Sequence, residues 1–433
     1  MENILKVGFG RADITPDYTV HLQGGNYRGR VTNEIYDRIY TTCIAISTGA
    51  QTVLLYTNDL KLVTKNFSER TRDVVAQATG VDRENIFLSG THTHSSVAIR
   101  YNWDRADEYR EFYHQAAARA AREAMADLAE AQILAGVTDT EMLNNVRHYR
   151  MQDGTVAGPN FGDHSSGYVS HVKEPDRQMQ VVRFARQEKK DILLVSFGCH
   201  GTFHGGALAI SADFIGPARD YAEANDHCHF AFFQGACGDQ TPGSKLPDRS
   251  YKDYTEHGAK VAQYALGAKL EALDAGAIRI EHMLFTAPTN KKRVDRLEDA
   301  LAVMDLVEQY GANAPEVKAA VKQFGFSSRH EANWIRIRAK AGDETSMDLH
   351  VFSIGQLAFV LAPYEMFGAE GRYIKTHSPY PMAFLVGCHD GGYNYIPGKD
   401  AFDYNCYESQ CCLFARGTAE KLAEVYVEML KKL

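Results

Sequence analysis

Hydrophobic positions along the 433-residue chain fall into two textures. Short continuous runs of β-branched and aromatic residues end in a small residue and then a polar group. The runs are TVLLYTND, ending at Asp59; NIFLSGTHTH, at His92 and His94; and ILLVSFGCHGTFH, at His200 and His204. The others are HFAFFQGACGD, at Asp239; LAFVLAPYE, at Glu365; and MAFLVGCHDGGYNY, at His389, Asp390 and Tyr395. Such runs predict strands buried on both faces. The expected fold class is α/β, a mixed, mostly parallel sheet flanked by helices. Open sheets of this kind bind ligands beyond the carboxyl ends of their strands, so six polar strand ends predict one shared site there.

The second texture has apolar residues at i, i+3 and i+4 in alanine-rich stretches. It predicts helices over 68–80, 109–131, 216–226 and 254–273, and a packing helix over 417–433. A separate helical block at about 290–330 reads as an insertion or lid. Residues 138–177 are polar and rich in glycine, asparagine and histidine, which predicts a long functional or mobile loop. There is no internal repeat and no obvious linker, so residues 1–433 are expected to form a single domain.

With 45% hydrophobic residues, the chain can build a core without disulfide staples. Its eight cysteines show no CxxC spacing and several end apolar runs, so they are expected to be free, buried thiols in a reducing compartment. The opening MENILKVGFG enters a strand directly, without secretory-signal character. No apolar run reaches the ~18 residues of a membrane span. A cytoplasmic protein with no integral membrane segment is expected. The formal net charge of −8, with acidic residues spread throughout, leaves no basic stripe for nucleic acid. The expected partner is a small-molecule substrate, with a homo-oligomer left open. Seventeen histidines, several beside glycines, point to chemistry.

In THTH, His92 and His94 project from one face while the chain stays extended, a spacing that suits a metal ligand beside a proton shuttle. His200 and Glu365 end two other strands. Two histidines and a carboxylate with one open position form a common catalytic zinc set, although histidine and carboxylate ligands suit several metals. In GACGDQTP, Asp239 and Thr241 either meet a ligand, orient a histidine, or simply cap a tight turn. Arg147 either polarises a carbonyl or, as spacing alone favours, is a solvated loop arginine. Tyr393, Tyr395 and Tyr407 are core aromatics unless the glycines at 391 and 392 bring Tyr395 into the site. GFG lacks the third glycine of a dinucleotide fingerprint, and neither a phosphate loop nor a GxSxG elbow occurs.

Taken in order, GFGRADITP, SGTHTHSS, FGCHGTFHGGALAISADFIGPAR, FFQGACGDQTP, APYEMFGAEGR and YNYIPGKDAFDYNCYE resemble the catalytic domain of neutral ceramidases. The resemblance implies zinc held by His92, His200, Glu365 and Tyr395, with His94 as acid and base. Arg147 and Tyr407 would contact the scissile carbonyl. Departures are Thr241 in place of a serine, His200-Gly201-Thr202 in place of HPT, and Val146 in place of an asparagine. The chain is also short for a C-terminal immunoglobulin-like domain. These differences weigh against a lipid substrate.

The leading expectation is a zinc-dependent hydrolase that cleaves an amide or ester bond of a small polar substrate with metal-activated water. A metal-dependent lyase or isomerase acting on a sugar-like substrate is the alternative, and a metal-binding or carbohydrate-binding protein without catalysis is the third reading.

Overall fold

The structure, a computed structural model, describes residues 4–24, 29–243 and 253–433. All six apolar runs form strands, and these associate as three parallel pairs. Thr52–Asn58 pairs with Ile86–Gly90, Asp191–Phe197 with Cys228–Gln234, and Leu357–Leu361 with Met382–Val386. Parallel partners run in the same direction, so each pair delivers two loops to the same end.

Every pair belongs to the same local unit: an antiparallel hairpin, a helix, and a strand returning parallel to the second hairpin strand. In the first unit these are Tyr40–Ser47, Thr52–Asn58, Lys65–Thr79 and Ile86–Gly90. In the second they are Gln178–Arg186, Asp191–Phe197, Ile215–Asn225 and Cys228–Gln234. In the third they are Glu344–Ile354, Leu357–Leu361, Gly368–His377 and Met382–Val386. No repeat is visible in the sequence because the unit needs only a recurring hydrophobic pattern, which tolerates many side chains.

The first two units share one sheet. Its order is Cys228–Gln234, Asp191–Phe197, Gln178–Arg186, Ala129–Asp139, Lys6–Asp13, Tyr40–Ser47, Thr52–Asn58 and Ile86–Gly90, with Glu271–Leu273 beside Ala129–Asp139. This corrects the expected mostly parallel sheet: its parallel pairs lie only at the two ends, and every pairing between them is antiparallel. Continuous apolar runs report burial on both faces, and Tyr40–Ser47 is buried in that way while pairing antiparallel.

A second sheet, Ile278–Pro288, Glu344–Ile354, Leu357–Leu361 and Met382–Val386, packs against the first through Val7, Ile44, Phe87, Phe184, Phe352 and Phe384. Gln180 and Ser196 of the first sheet donate to the carbonyls of Ala383 and Leu385 at 2.7 and 2.6 Å, crossing the interface with satisfied polar groups. On the opposite face, helix Ala106–Ala126 lies against Lys6–Asp13. Here the glycines of GFG find their use. A Cβ on Gly8 or Gly10 would stand 2.0 Å from the carbonyl oxygen of Ala124 or Ala120.

Two helices end earlier than their periodicity suggests. The predicted 109–131 helix stops at Ala126, and Ala129–Asp139 is a strand; the 254–273 helix stops at Leu266. Alternating burial along Ala129–Asp139 marks a half-exposed strand whose alanines extend the helical pattern. The helical block is an excursion within the antiparallel ladder of Ile278–Pro288 and Glu344–Ile354. It contains Leu297–Tyr310, Pro315–Gln323 and Arg329–Lys340, so it continues past the expected boundary, and it has a small core of its own around Val303, Val317 and Ile335. Instead of one long loop, residues 138–177 contain the short strands Asn144–Val146, Tyr149–Met151, Val156–Ala157 and Tyr168–His171. All eight cysteines are free and buried, as expected. Among the described residues no helix is long and apolar enough to cross a membrane.

Candidate metal centre

The loops leaving the three parallel pairs converge. Thr93 bridges Gly201, and the His94 amide donates to the Gly201 carbonyl at 2.8 Å, which sets the first histidine loop beside the second. Gln234 fastens the same junction: its amide nitrogen donates to the carbonyls of Thr91 at 3.1 Å and Cys199 at 2.8 Å. Glu365 pairs directly with Tyr395 in a short parallel ladder, Glu365–Met366 with Tyr395–Ile396.

At the junction, Glu365 Oε2 lies 3.1 Å from His92 Nε2 and 3.0 Å from His200 Nε2. Tyr395 Oη is 3.5 Å from His200 Nε2, and His94 Nε2 is 3.2 Å from His92 Nε2. The ligating atoms of His92, His94 and His200 all lie within 4.8 Å of one another. His92 and His200 are fully buried, Glu365 and Tyr395 nearly so, and His94 is partly exposed at the edge.

Backbone carbonyls fix both imidazoles. His92 Nδ1 donates to Lys61 O at 2.7 Å, and His200 Nδ1 donates to Cys237 O and Gln240 O at 2.8 and 2.9 Å. Each ring therefore turns its Nε2 lone pair inward, the tautomer a metal ligand requires. Two nitrogen lone pairs, a carboxylate and a phenol facing one point repel one another unless a cation or proton lies between them. This donor set fits zinc.

The extended THTH geometry does not occur. His92 has φ +66°, a left-handed conformation uncommon for a residue with a side chain, and this turn rather than strand alternation brings the two rings together.

Electrostatics separate the groups. Burial lowers His92, but Cys388 and Glu365 outweigh it and push the ring up to about 10, so a proton stands on Nε2 against Glu365 unless a cation takes that place and frees the lone pair. Burial, aided by Arg147, takes His200 down to about 3. Burial raises the Glu365 carboxyl, yet His92 and the His200 hydrogen bond hold it well below the usual range. Burial, with Lys61 and the two neighbouring imidazoles, keeps His94 well below the ordinary histidine value.

Arg147 is buried beneath this centre, which corrects its reading as a solvated loop arginine. Its Nε and Nη2 reach Glu408 Oε1 at 2.7 and 2.6 Å, Nη2 also donates to Gly238 O at 2.8 Å, and the guanidinium lies 5.3 Å from the centre of the Tyr395 ring. Glu408 also holds His148 Nε2 at 2.8 Å. Burial raises this carboxyl, but Arg147 and His148 together hold it well below its ordinary value. Tyr407 stands 5.7 Å from the Tyr395 ring.

The Asp239 carboxylate accepts from the Gly368 amide at 2.9 Å, its carbonyl accepts from the Arg147 amide at 2.9 Å, and Thr241 pairs with Asn145. In this turn the groups that orient His200 are backbone carbonyls, not these side chains.

The six strand ends do not all share the site. Asp59 forms an ion pair with Arg219 at 2.6 Å, and Asp390 with Arg72 at 2.5 Å. His389 packs against His350 and Phe87, His204 against Tyr254 and Tyr36, and Tyr393 donates to Ser346 O. Sequence reasoning missed Lys61, Gln234, Glu408 and His148. The first follows directly on a polar strand end and Glu408 adjoins Tyr407; Gln234 and His148 carry no sequence signal. Two further buried donor groups, Cys237 and Cys388 with His92, and Cys406 with His148 and Glu408, surround the centre. Their imidazole nitrogens are already hydrogen-bonded.

The fold and its donors define an α/β protein with a candidate metal centre at the carboxyl ends of its parallel strand pairs. This is the fold of neutral ceramidase. The neutral ceramidase from Pseudomonas aeruginosa superimposes with a TM-score of 0.70 at 17% identity, over 99% of this chain and 74% of that one. A ceramidase complexed with C2 gives 0.70 at 16% identity, over 99% of this chain and 75% of that one. No family model matches the sequence.

Proposed function

We propose that the chain is a zinc-dependent hydrolase that cleaves an amide, or an ester, of a small polar substrate. The observation carrying this reading is the convergence of His92, His200, Glu365 and Tyr395 on one point, with His94 beside them and open to solvent. Zinc bound there would supply an activated water and polarise the substrate carbonyl.

The chain's own groups complete the chemistry. His94 is held neutral, the form that accepts a proton at Nε2 and passes it to the departing nitrogen. Arg147 is fixed by Glu408 and Gly238 O before any substrate arrives, so little reorganisation opposes its stabilising a developing oxyanion. Tyr407 stands opposite Tyr395, and burial keeps its phenol protonated, the form able to donate to the same oxyanion. Asp239 and Thr241 serve by fixing the turn that aims His200 and Arg147.

The test is metal content of protein purified without a metal-binding tag, for the parent, His92→Ala and His200→Ala, followed by turnover of amide and ester panels. About one zinc per chain, lost in both variants, with amide or ester cleavage by the parent, is expected. A parent that fails to take up added zinc overturns the reading. An unsaturated product formed without incorporation of solvent oxygen would instead identify the lyase alternative.

A further inference from the structure

The solvent-facing rim of the metal centre carries positive charge that the protein itself does not neutralise. Lys61 is partly exposed, and its backbone carbonyl is the group that orients His92. Its ammonium has no ion-pair partner among the described residues, yet it is close enough for its charge to act on Glu365, His94 and His330. Arg100 is exposed and also acts on Glu365; among the described residues the one side chain it hydrogen-bonds is Asn394, at 3.4 Å, whose backbone carbonyl accepts from the Glu365 amide. The His330 ring, also within reach of the Lys61 charge, meets Tyr407 edge-on at 5.4 Å.

Two carboxylates stand against these cations. Glu365 is turned to the histidines, and Glu408 is committed to Arg147 and His148. A chain with a formal net charge of −8 has acidic residues to spare for pairing a lysine and an arginine, and none stands beside these two among the described residues. Bound zinc would make the mouth more positive still. Cations left unpaired around a low-dielectric cleft focus their field on whatever enters. An uncharged lipid amide gives them nothing to pair with, whereas an oxyanion beside the scissile bond does.

We propose, taking the hydrolase reading as given, that the substrate carries an anionic oxyacid group, carboxylate, sulfonate or phosphate, close to its scissile bond, and that Lys61 and Arg100 select it.

Four matched probes test this: N-acetylglycine, N-acetyltaurine, N-acetyl-O-phosphoethanolamine and neutral N-acetylethanolamine. Affinity is measured by calorimetry on the zinc-loaded protein and cleavage is followed separately. At least one anionic probe is expected to bind tenfold or more tightly than the neutral one, and which one identifies the oxyacid. Lys61→Gln and Arg100→Gln should each reduce that preference at least threefold and their combination should abolish it, with zinc content and thermal stability unchanged. Lys61→Arg should keep it. For a cleaved probe, the variants should raise KM and leave kcat nearly unaltered. Equal or undetectable affinity for all four probes overturns the proposal. So does a preference that survives in the double variant, because the metal alone would then be holding the anion. Selective binding without cleavage of any probe would instead count against the hydrolase reading and leave the anion site standing.

Discussion

Glu365 and Tyr395 face one another in a parallel ladder although a helix and a strand separate them in sequence. The pairing puts a carboxylate and a phenol on the same edge, one against His92 and His200 and the other against His200. Glu365→Gln is expected to lose bound zinc, since an amide supplies no charge to the cation. Tyr395→Phe should retain zinc with lowered affinity, because His92, His200 and Glu365 remain as three of the four donors. Competition against a chelator measures both, and a Glu365→Gln protein that binds as tightly as the parent would remove this residue from the ligand set.

His94 stands beside the ligands and is partly exposed where they are buried. His94→Ala should therefore keep its zinc while kcat falls about 10²- to 10⁴-fold, the range for loss of a positioned acid and base. Metal content and steady-state kinetics on one preparation separate the roles; loss of zinc along with activity would make His94 a ligand.

Glu408 neutralises Arg147 and hydrogen-bonds His148 in a buried position. Glu408→Gln leaves that arginine without its counter-charge and is expected to cost roughly 3–5 kcal/mol, read as a lower melting temperature. The carboxyl titrates lower in the folded chain than in the unfolded one, so its contribution is present above the unfolded value of about 4.3 and is lost as pH falls toward the depressed folded value. Stability curves of parent and variant should therefore converge in acid, and a constant gap across that range would assign the cost to packing.

Helix Ala106–Ala126 touches its strand at Gly10. Gly10→Ala forces a methyl group to within 2.0 Å of the Ala120 carbonyl unless the helix moves, with an expected cost of about 1–3 kcal/mol. Gly206→Ala meets nothing within 4 Å and is the control, expected to stay within about 0.5 kcal/mol of the parent. Equal melting temperatures for the two would mean that the helix is free to shift.

Of the fold, the sequence determined the six buried strands, since continuous apolar runs need burial on both faces wherever they pair, and most of the helices, since the 3.6-residue period is a local property. His92, His94, His200 and Glu365 were legible because each follows such a run, but so do Asp59, His389 and Asp390, which serve ion pairs and packing, and only the fold told the two sets apart. Tertiary structure alone decided the rest. Parallel or antiparallel pairing depends on how a chain returns, which is why the sheet is antiparallel through its middle and why a thrice-used unit left no trace in residue identities. The burial of Arg147 was hidden because its partner, Glu408, is remote in sequence and supplies the counter-charge that makes a buried guanidinium tolerable. The fold alone brings Lys61 and Arg100 within reach of the Glu365 charge, and neither has an ion-pair partner among the described residues: a side chain's charge is written in the sequence, but whether it is neutralised depends on what the folded chain brings within a few ångströms of it.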